Sequence, residues 1–194
     1  MNNNIHSKSQ IGQDIFVLTQ LNNKKDGTFV DIGVGHPTLI NNTYVLENDF
    51  NWGGISFDIG PPHTWEYKIY DKYKHINISD YKKMWRDDRS TPIICCDALE
   101  TDYNEVFKEY NLPKNIDYLS MDLEPPMATF ECLKLIPFDK YQFKIITFET
   151  DYYREKNTQD PSRELLNSYG YKLVKSVRNQ EDWYIHSDLN KNKK

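Results

Sequence analysis

The sequence predicts an α/β protein whose mostly parallel sheet ends in an antiparallel hairpin. Two observations carry this. Short apolar, β-branched segments alternate with helix-like segments along most of the chain, and the last two strand segments follow each other with no helix between them. A third observation bounds the size: 194 residues, 38% hydrophobic and 27% charged, suit one domain with a substantial core, placed over residues 8–187.

The elements follow in order. "SQIGQDIFVLTQL" reads as a helix with Ile11, Ile15 and Leu18 on one side, joined by Phe16. "TFVDI" is the first strand, a helix runs through "NNTYVLEN", and "GGISFD" is the second strand. "TPIICCD" is the third, opened by Pro92 at a position where a strand tolerates proline. "NEVFKEY" is a short helix, "IDYLSMD" the fourth strand, "PMATFECLKLI" a helix and "FKIITFE" the fifth strand. Asp160 and Pro161 open the next helix as cap and first-turn proline, and Gly170 ends it. "YKLVKSV" and "EDWYIH" form the closing hairpin, with Trp183 and Tyr184 expected in its core.

Residues 61–90 interrupt this rhythm where a short crossover would suffice. The block carries Trp65, Tyr67, Tyr70, Tyr73, Tyr81 and Trp85 among Lys68, Lys83, Arg86 and Arg89. A connection of that length and composition is expected to be an inserted lid or binding wall, or a flap whose aromatics pack on the body. Residues 1–7 and 188–194 are polar and expected to fray.

Composition excludes several classes. A net charge of -5 gives no global basic field for nucleic acid or anionic membrane. No apolar run approaches the ~20 residues of a membrane span, and the first ten residues lack a secretory apolar core. The three cysteines do not suit a disulfide framework: Cys95 and Cys96 are adjacent and point to opposite sides of a strand, and Cys132 stands alone. Free thiols and a reducing cytoplasm are expected, and no Cys/His spacing resembles a zinc site.

In an open α/β sheet, ligands bind beyond the carboxyl ends of the strands. Acids stand there after each of the five strands: Asp31, then Asp58, Asp97, Asp122 with Glu124, and Glu149 with Asp151. The first strand also runs into Gly33 and Gly35, whose missing Cβ atoms permit close backbone approach to a ligand. Asp58, 27 residues after Asp31, stands where a carboxylate can accept hydrogen bonds from two ribose hydroxyls. A dinucleotide would favour a third glycine and a turn free of negative charge. Here Thr38 takes the third position and Asp31 sits beside the turn. An acid there repels a pyrophosphate and suits the ammonium and sulfonium of S-adenosylmethionine.

The motifs "GQDIFVL", "GTFVDIGVGHPTLINNTYVLE", "GISFDI", "CDAL", "IDYLSMDLEPP", "ITFETDYY" and "EDWY", in that order, resemble FkbM-type methyltransferases over residues 8–187. The resemblance implies a class I, Rossmann-like fold with a seven-stranded sheet, S-adenosylmethionine as cofactor, and methylation of hydroxyls on sugars or small metabolites. It implies that Asp31, Gly33 and Gly35 contact the amino-acid part of the cofactor, Asp58 its ribose, and Asp97 and Ala98 the adenine. Asp122, Leu123 and Glu124 match the acidic motif at the methyl-transfer site, where Pro125 and Pro126 replace the glycine that members often carry.

A hydroxyl acceptor needs a base, or a cation that lowers its pKa. Three routes are open: Asp122 or Glu124 as base, His36 as base, or Mg²⁺ held by Asp122, Glu149 and Asp151, an oxygen-only set that suits a hard ion. His36 also reads as a turn residue satisfied by backbone, and Asn41 and Asn42 as caps of the following helix. The expected partner is a small-molecule or glycan acceptor, with neither nucleic acid nor membrane. The alternatives are a non-catalytic methyltransferase-like binding module, motivated by the proline pair, and an RNA ribose methyltransferase whose aromatic, basic block would stack bases.

Overall fold

The computed structural model describes residues 5–60 and 76–189. Helices α1 (Gln13–Gln20), α2 (Tyr44–Phe50), α3 (Ile78–Asp88), α4 (Tyr103–Glu109), α5 (Pro126–Leu133) and α6 (Gln159–Ser168) surround a single sheet. Its strands are β1 (Thr28–Ile32), β2 (Gly53–Asp58), β3 (Ile93–Cys95), β4 (Asn115–Met121), β5 (Gln142–Glu149), β6 (Tyr171–Val177) and β7 (Glu181–His186).

The strand order is β3-β2-β1-β4-β5-β7-β6. The pairs β1 to β2, β1 to β4, β2 to β3 and β4 to β5 are parallel, while β7 runs antiparallel to both β5 and β6. The expected mostly parallel sheet with a terminal hairpin is therefore present. The hairpin folds back so that β7, the later strand, lies inside and β6 forms the edge. Sequence order reverses between β1 and β4, so the ligand crevice of such a sheet opens beyond the carboxyl ends of these strands.

Both faces of the parallel core are covered, which is why its strands read as near-continuous apolar runs. Alternation along β1 sends Val30 and Ile32 to the face packed with Tyr103, Phe107, Leu133 and Leu166 of α4, α5 and α6. Phe29 goes to the opposite face with Val17, Leu18, Val45 and Leu46 of α1 and α2. Asp31, two residues after Phe29, shares that second face. Trp183 and Tyr184 are buried as expected, at 2% and 1% exposure.

Several boundaries differ from expectation. β3 shrinks to three residues. Helix α6 is capped at Thr158 rather than at Asp160, because the Thr158 hydroxyl is drawn to the Thr150 carbonyl and fixes the chain two residues earlier. Asn41, not Asn42, caps α2: its Oδ1 accepts the N–H groups of Thr43 and Tyr44 at 3.0 and 2.7 Å. Asn42 instead donates to Ser120 on β4.

Within the block from 61 to 90, residues 61–75 lie outside the described residues. The remainder forms α3, capped by Asn77, whose side chain accepts the Asp80 N–H. Of the expected tails, residues 1–4 and 190–194 also lie outside. The Ser7 hydroxyl donates to Asp14 at 2.7 Å.

Candidate active site

The turn after β1 is shaped by three strand ends. Gly33 N–H donates to the Phe57 carbonyl at 2.9 Å, and Asp122 N–H donates to the Ile32 carbonyl at 2.9 Å. Gly33 and Gly35 both adopt left-handed backbone, with φ of 81° and 63°. Their reasons for being glycine differ. A Cβ at Gly33 would stand 1.8 Å from the Asp122 carbonyl oxygen, so the close approach there is between β1 and β4 and not with a ligand. A Cβ at Gly35 meets nothing within 4 Å and would project into open space beside the turn.

Asp58 closes this turn from β2. Its Oδ2 accepts the Gly35 N–H at 2.8 Å and its Oδ1 accepts the Gly60 N–H at 3.0 Å. Each carboxylate oxygen offers about two acceptor sites, so each keeps one for a ligand. Burial raises the Asp58 pKa to about 6, against the lowering effect of those two backbone donors. From the other side, the buried Tyr81 hydroxyl of α3 donates to the Gly35 carbonyl.

Asp31 lies beneath this surface. It is 2% exposed, does not line the cavity, and accepts the Thr43 hydroxyl at 2.8 Å. Burial raises its pKa to about 6, opposed by hydrogen bonds from Thr43 and Ser120 and by the charge of Arg89. Arg89 is the hub behind it. Its guanidinium pairs with Glu47 at 2.6 Å and donates to the Pro37 carbonyl, Asn41 Oδ1 and Thr43 Oγ1 at 3.0 to 3.1 Å, stacked on Trp85 at 4.7 Å. All of the loop after the glycine turn is thereby tied to α2 and α3.

His36 lines the cavity at 2% exposure, and its Nδ1 accepts the backbone N–H groups of Thr38 and Leu39 at 3.1 and 3.2 Å. An Nδ1 used as acceptor places the proton of the neutral ring on Nε2. The ring therefore presents a donor rather than a base.

The remaining acids gather at the ends of β4 and β5. Asp122 and Glu149 are within hydrogen-bonding reach, which two carboxyls achieve only by sharing a proton. Burial, and then the Asp122 charge, push Glu149 up to about 12, so Glu149 holds that proton and Asp122 accepts it. Thr129 of α5 fixes the intervening loop by exchanging hydrogen bonds with the Leu123 backbone at 2.9 and 3.0 Å. Pro126 opens α5, so the proline pair ends the loop in a helix.

The oxygens of Glu124, Glu149 and Asp151 lie within 4.8 Å of one another. The trio expected to hold Mg²⁺ is thus altered: Glu124 stands in it, while Asp122 is engaged with Glu149. Arg154 Nη1 already bridges two of the three, at 2.5 Å from Glu124 and 2.9 Å from Asp151. With a guanidinium between them, these acids do not fit a divalent ion as they stand.

One cavity of about 720 Å³ unites these groups. Gly33, Gly35, His36, Asp58, Asp97, Ala98, Asp122, Glu124, Glu149 and Asp151 all line it, with Tyr153, Arg154, Gln10 and Gln180. Of the residues expected to bind cofactor, catalyse or hold metal, Asp31 alone stays outside the wall. Asp97 uses its carboxylate to accept the Leu99 N–H at 2.8 Å, shaping the wall beside Ala98. Six carboxyl groups face the cavity, and Arg154 is the one lysine or arginine among its described lining residues. Sequence reasoning missed Arg154, Gln10 and Gln180. For Arg154 the available signal was its position three residues past Asp151, a spacing that brings side chains together in a tight turn.

No family model and no curated protein matches the sequence. Solved structures do resemble it. CalS11, a TDP-rhamnose 3'-O-methyltransferase of calicheamicin biosynthesis, superimposes with a TM-score of 0.55 at 16% identity, covering 90% of this chain and 77% of its own. The O-methyltransferase NovP gives 0.56 at 14% identity, covering 90% and 76%. A Clostridium thermocellum protein assigned as an rRNA methylase gives 0.51 at 16%, covering 93% and 97%. At such identities the likeness is one of fold: the chain has the Rossmann-like architecture of class I methyltransferases.

Proposed function

We propose that the protein is an S-adenosylmethionine-dependent methyltransferase of the FkbM type, acting on a hydroxyl of a sugar, a glycan precursor or another small polar metabolite. The observation that carries this is the Asp58 carboxylate, held by the Gly35 and Gly60 N–H groups at the rim of a cavity walled by acids. Such a wall repels a pyrophosphate and favours a cationic cofactor. The order of sequence motifs supports the same reading.

When bound, the cofactor supplies a methyl group on a positively charged sulfur. Asp58 accepts the ribose hydroxyls on its two remaining acceptor sites. Asp97 and Ala98 bound the adenine, and the Gly33–Gly35 backbone borders the amino-acid end. Asp31 acts from below, as a buried charge balanced by Arg89, without touching the cofactor.

Asp122 is the base best placed to take the acceptor's proton. It is a half-buried carboxylate on the cavity wall, held by the Glu149 carboxyl. Glu124 is engaged by Arg154, and His36 presents its proton rather than a lone pair. Asp122 would take the acceptor hydroxyl's proton as that oxygen received the methyl group a bound cofactor would supply, with the neutral thioether as leaving group. Orienting these atoms in line is the main task of the cavity wall. No step here runs through a divalent ion.

Incubation with S-adenosylmethionine and a panel of sugars, nucleotide sugars and polyols tests the proposal, with S-adenosylhomocysteine release as readout. Release above the acceptor-free rate is expected for at least one hydroxylated acceptor. Tight cofactor binding with no turnover across the panel would favour the non-catalytic binding module.

A further inference from the structure

We propose that Arg154 is the resident cation of the acceptor half of the cavity, standing between Glu124 and Asp151 in the place a divalent metal would take. This deepens the methyl-transfer reading and rests on it only for its chemical consequence.

The placement is built into the backbone. Asp151 adopts left-handed φ, 41°, a conformation that aspartate tolerates better than most residues carrying a Cβ. That turn folds the following residues back, with the Arg154 and Glu155 N–H groups donating to the Asp151 carbonyl at 2.7 and 3.0 Å. The turn is pinned in its own right, because Thr150 and Asp151 N–H groups both donate to the Gln180 carbonyl at 2.7 and 2.9 Å. Arg154 therefore does not wander into the acids from a flexible stem; the chain delivers it there.

The charges then decide who occupies the cluster. Asp151 is 2% exposed, and a buried carboxylate needs a counter-charge. Arg154 Nη1 supplies it to Asp151 and Glu124 together. A divalent ion would need these oxygens at roughly 2.1 to 2.6 Å in its own geometry, and metal ligation requires deprotonated carboxylates. Arg154 thus already supplies the cation that Glu124 and Asp151 need.

Arg154 has donors to spare. Its Nη1 serves both acids, while Nε and Nη2 make no hydrogen bond to a described residue, and the side chain lines the cavity. Those N–H groups would be available to an acceptor's hydroxyl oxygen as negative charge develops on it, the task a metal performs in metal-assisted transfer. Arginine stays charged throughout.

The test compares the full-length native chain with R154Q and R154K, titrating Mn²⁺ by the electron-paramagnetic-resonance signal of the free ion. Calorimetry with S-adenosylhomocysteine runs on the same samples. R154Q is expected to bind Mn²⁺ at least ~10-fold more tightly than the native chain, because Glu124 and Asp151 lose their guanidinium. R154K keeps the charge and is expected to resemble the native chain. Equal Mn²⁺ affinity in the native chain and R154Q, including no binding by either, overturns the proposal. So does R154K behaving as R154Q. Far-UV circular dichroism of the three chains checks that the fold is intact, and calorimetry reports whether each binds S-adenosylhomocysteine. If the native chain fails to bind that cofactor product, the methyltransferase reading falls, and the Mn²⁺ comparison still decides the role of Arg154.

Discussion

The Asp58 carboxylate accepts the Gly35 N–H at 2.8 Å, locking the end of β2 to the turn after β1. The bond fixes the acid's orientation before any ligand arrives and leaves an acceptor site on each oxygen. Replacing Asp58 with alanine is expected to weaken S-adenosylhomocysteine binding by ~1.5–3 kcal/mol, the range for a hydrogen bond to a charged group. Calorimetry on the folded variant measures it, and an unchanged affinity refutes the ribose role.

Affinity should also depend on pH, through the same residue. Burial raises Asp58 to about 6 in the free protein, and its ionised form accepts the ribose hydroxyls more strongly than its protonated form. The ligand therefore favours the deprotonated acid. Affinity is expected to be full near pH 7.5 and to fall as pH drops through 6, by up to ~10-fold per unit below it. Stability of the free protein runs the opposite way. A folded pKa above the ordinary 3.8 contributes stability at low pH that is lost as pH rises through about 6. D58N should flatten the binding profile while Asp31, also raised to about 6, keeps part of the stability profile. Calorimetry and thermal melts from pH 5 to 8 check both slopes.

The two turn glycines should fail differently. G33A drives a methyl group into the Asp122 carbonyl, 1.8 Å away, so loss of stability and of cofactor binding is expected together. G35A meets no atom within 4 Å and carries only the left-handed penalty of ~1–2 kcal/mol. Its methyl group projects beside the Asp58 site, so binding should suffer more than folding. Urea denaturation paired with calorimetry separates the two, and matching losses in both variants would contradict this division.

Arg89 holds the post-turn loop through a buried pair with Glu47. R89M leaves Glu47 uncompensated, and a loss of ~3–5 kcal/mol in unfolding free energy is expected. Adding E47Q should recover part of that loss, because the stranded charge is then gone. A double variant as unstable as R89M would show that lost contacts, not charge, set the cost.

Much of the fold was legible because β-branched and aromatic runs mark the strands, including β6, which is largely exposed. The strands "TFVDI", "GGISFD", "YKLVKSV" and "EDWYIH" match the observed bounds residue for residue. Helix α3 was not legible, since it buries only Tyr81 and Trp85, four residues apart, among charged neighbours. Its readable signal was Asn77 before Asp80, a cap with an acid in the first turn. The convergence of acids at one sheet edge followed from topology alone. Which acid faces the cavity did not: Asp31 takes the same face as Phe29, where Thr43 of the post-turn loop covers it. Arg154 was harder to read, because its position depends on a single left-handed turn at Asp151 that only the three-residue spacing hints at.

The most direct test of the cofactor reading is paired calorimetry of the native chain at pH 7.5 with S-adenosylhomocysteine and with NAD⁺. The acid-walled cavity and the Asp58 cradle predict saturable binding of S-adenosylhomocysteine and none of NAD⁺ at millimolar concentration. Binding of NAD⁺ in preference, or no binding of S-adenosylhomocysteine at that concentration, would contradict it.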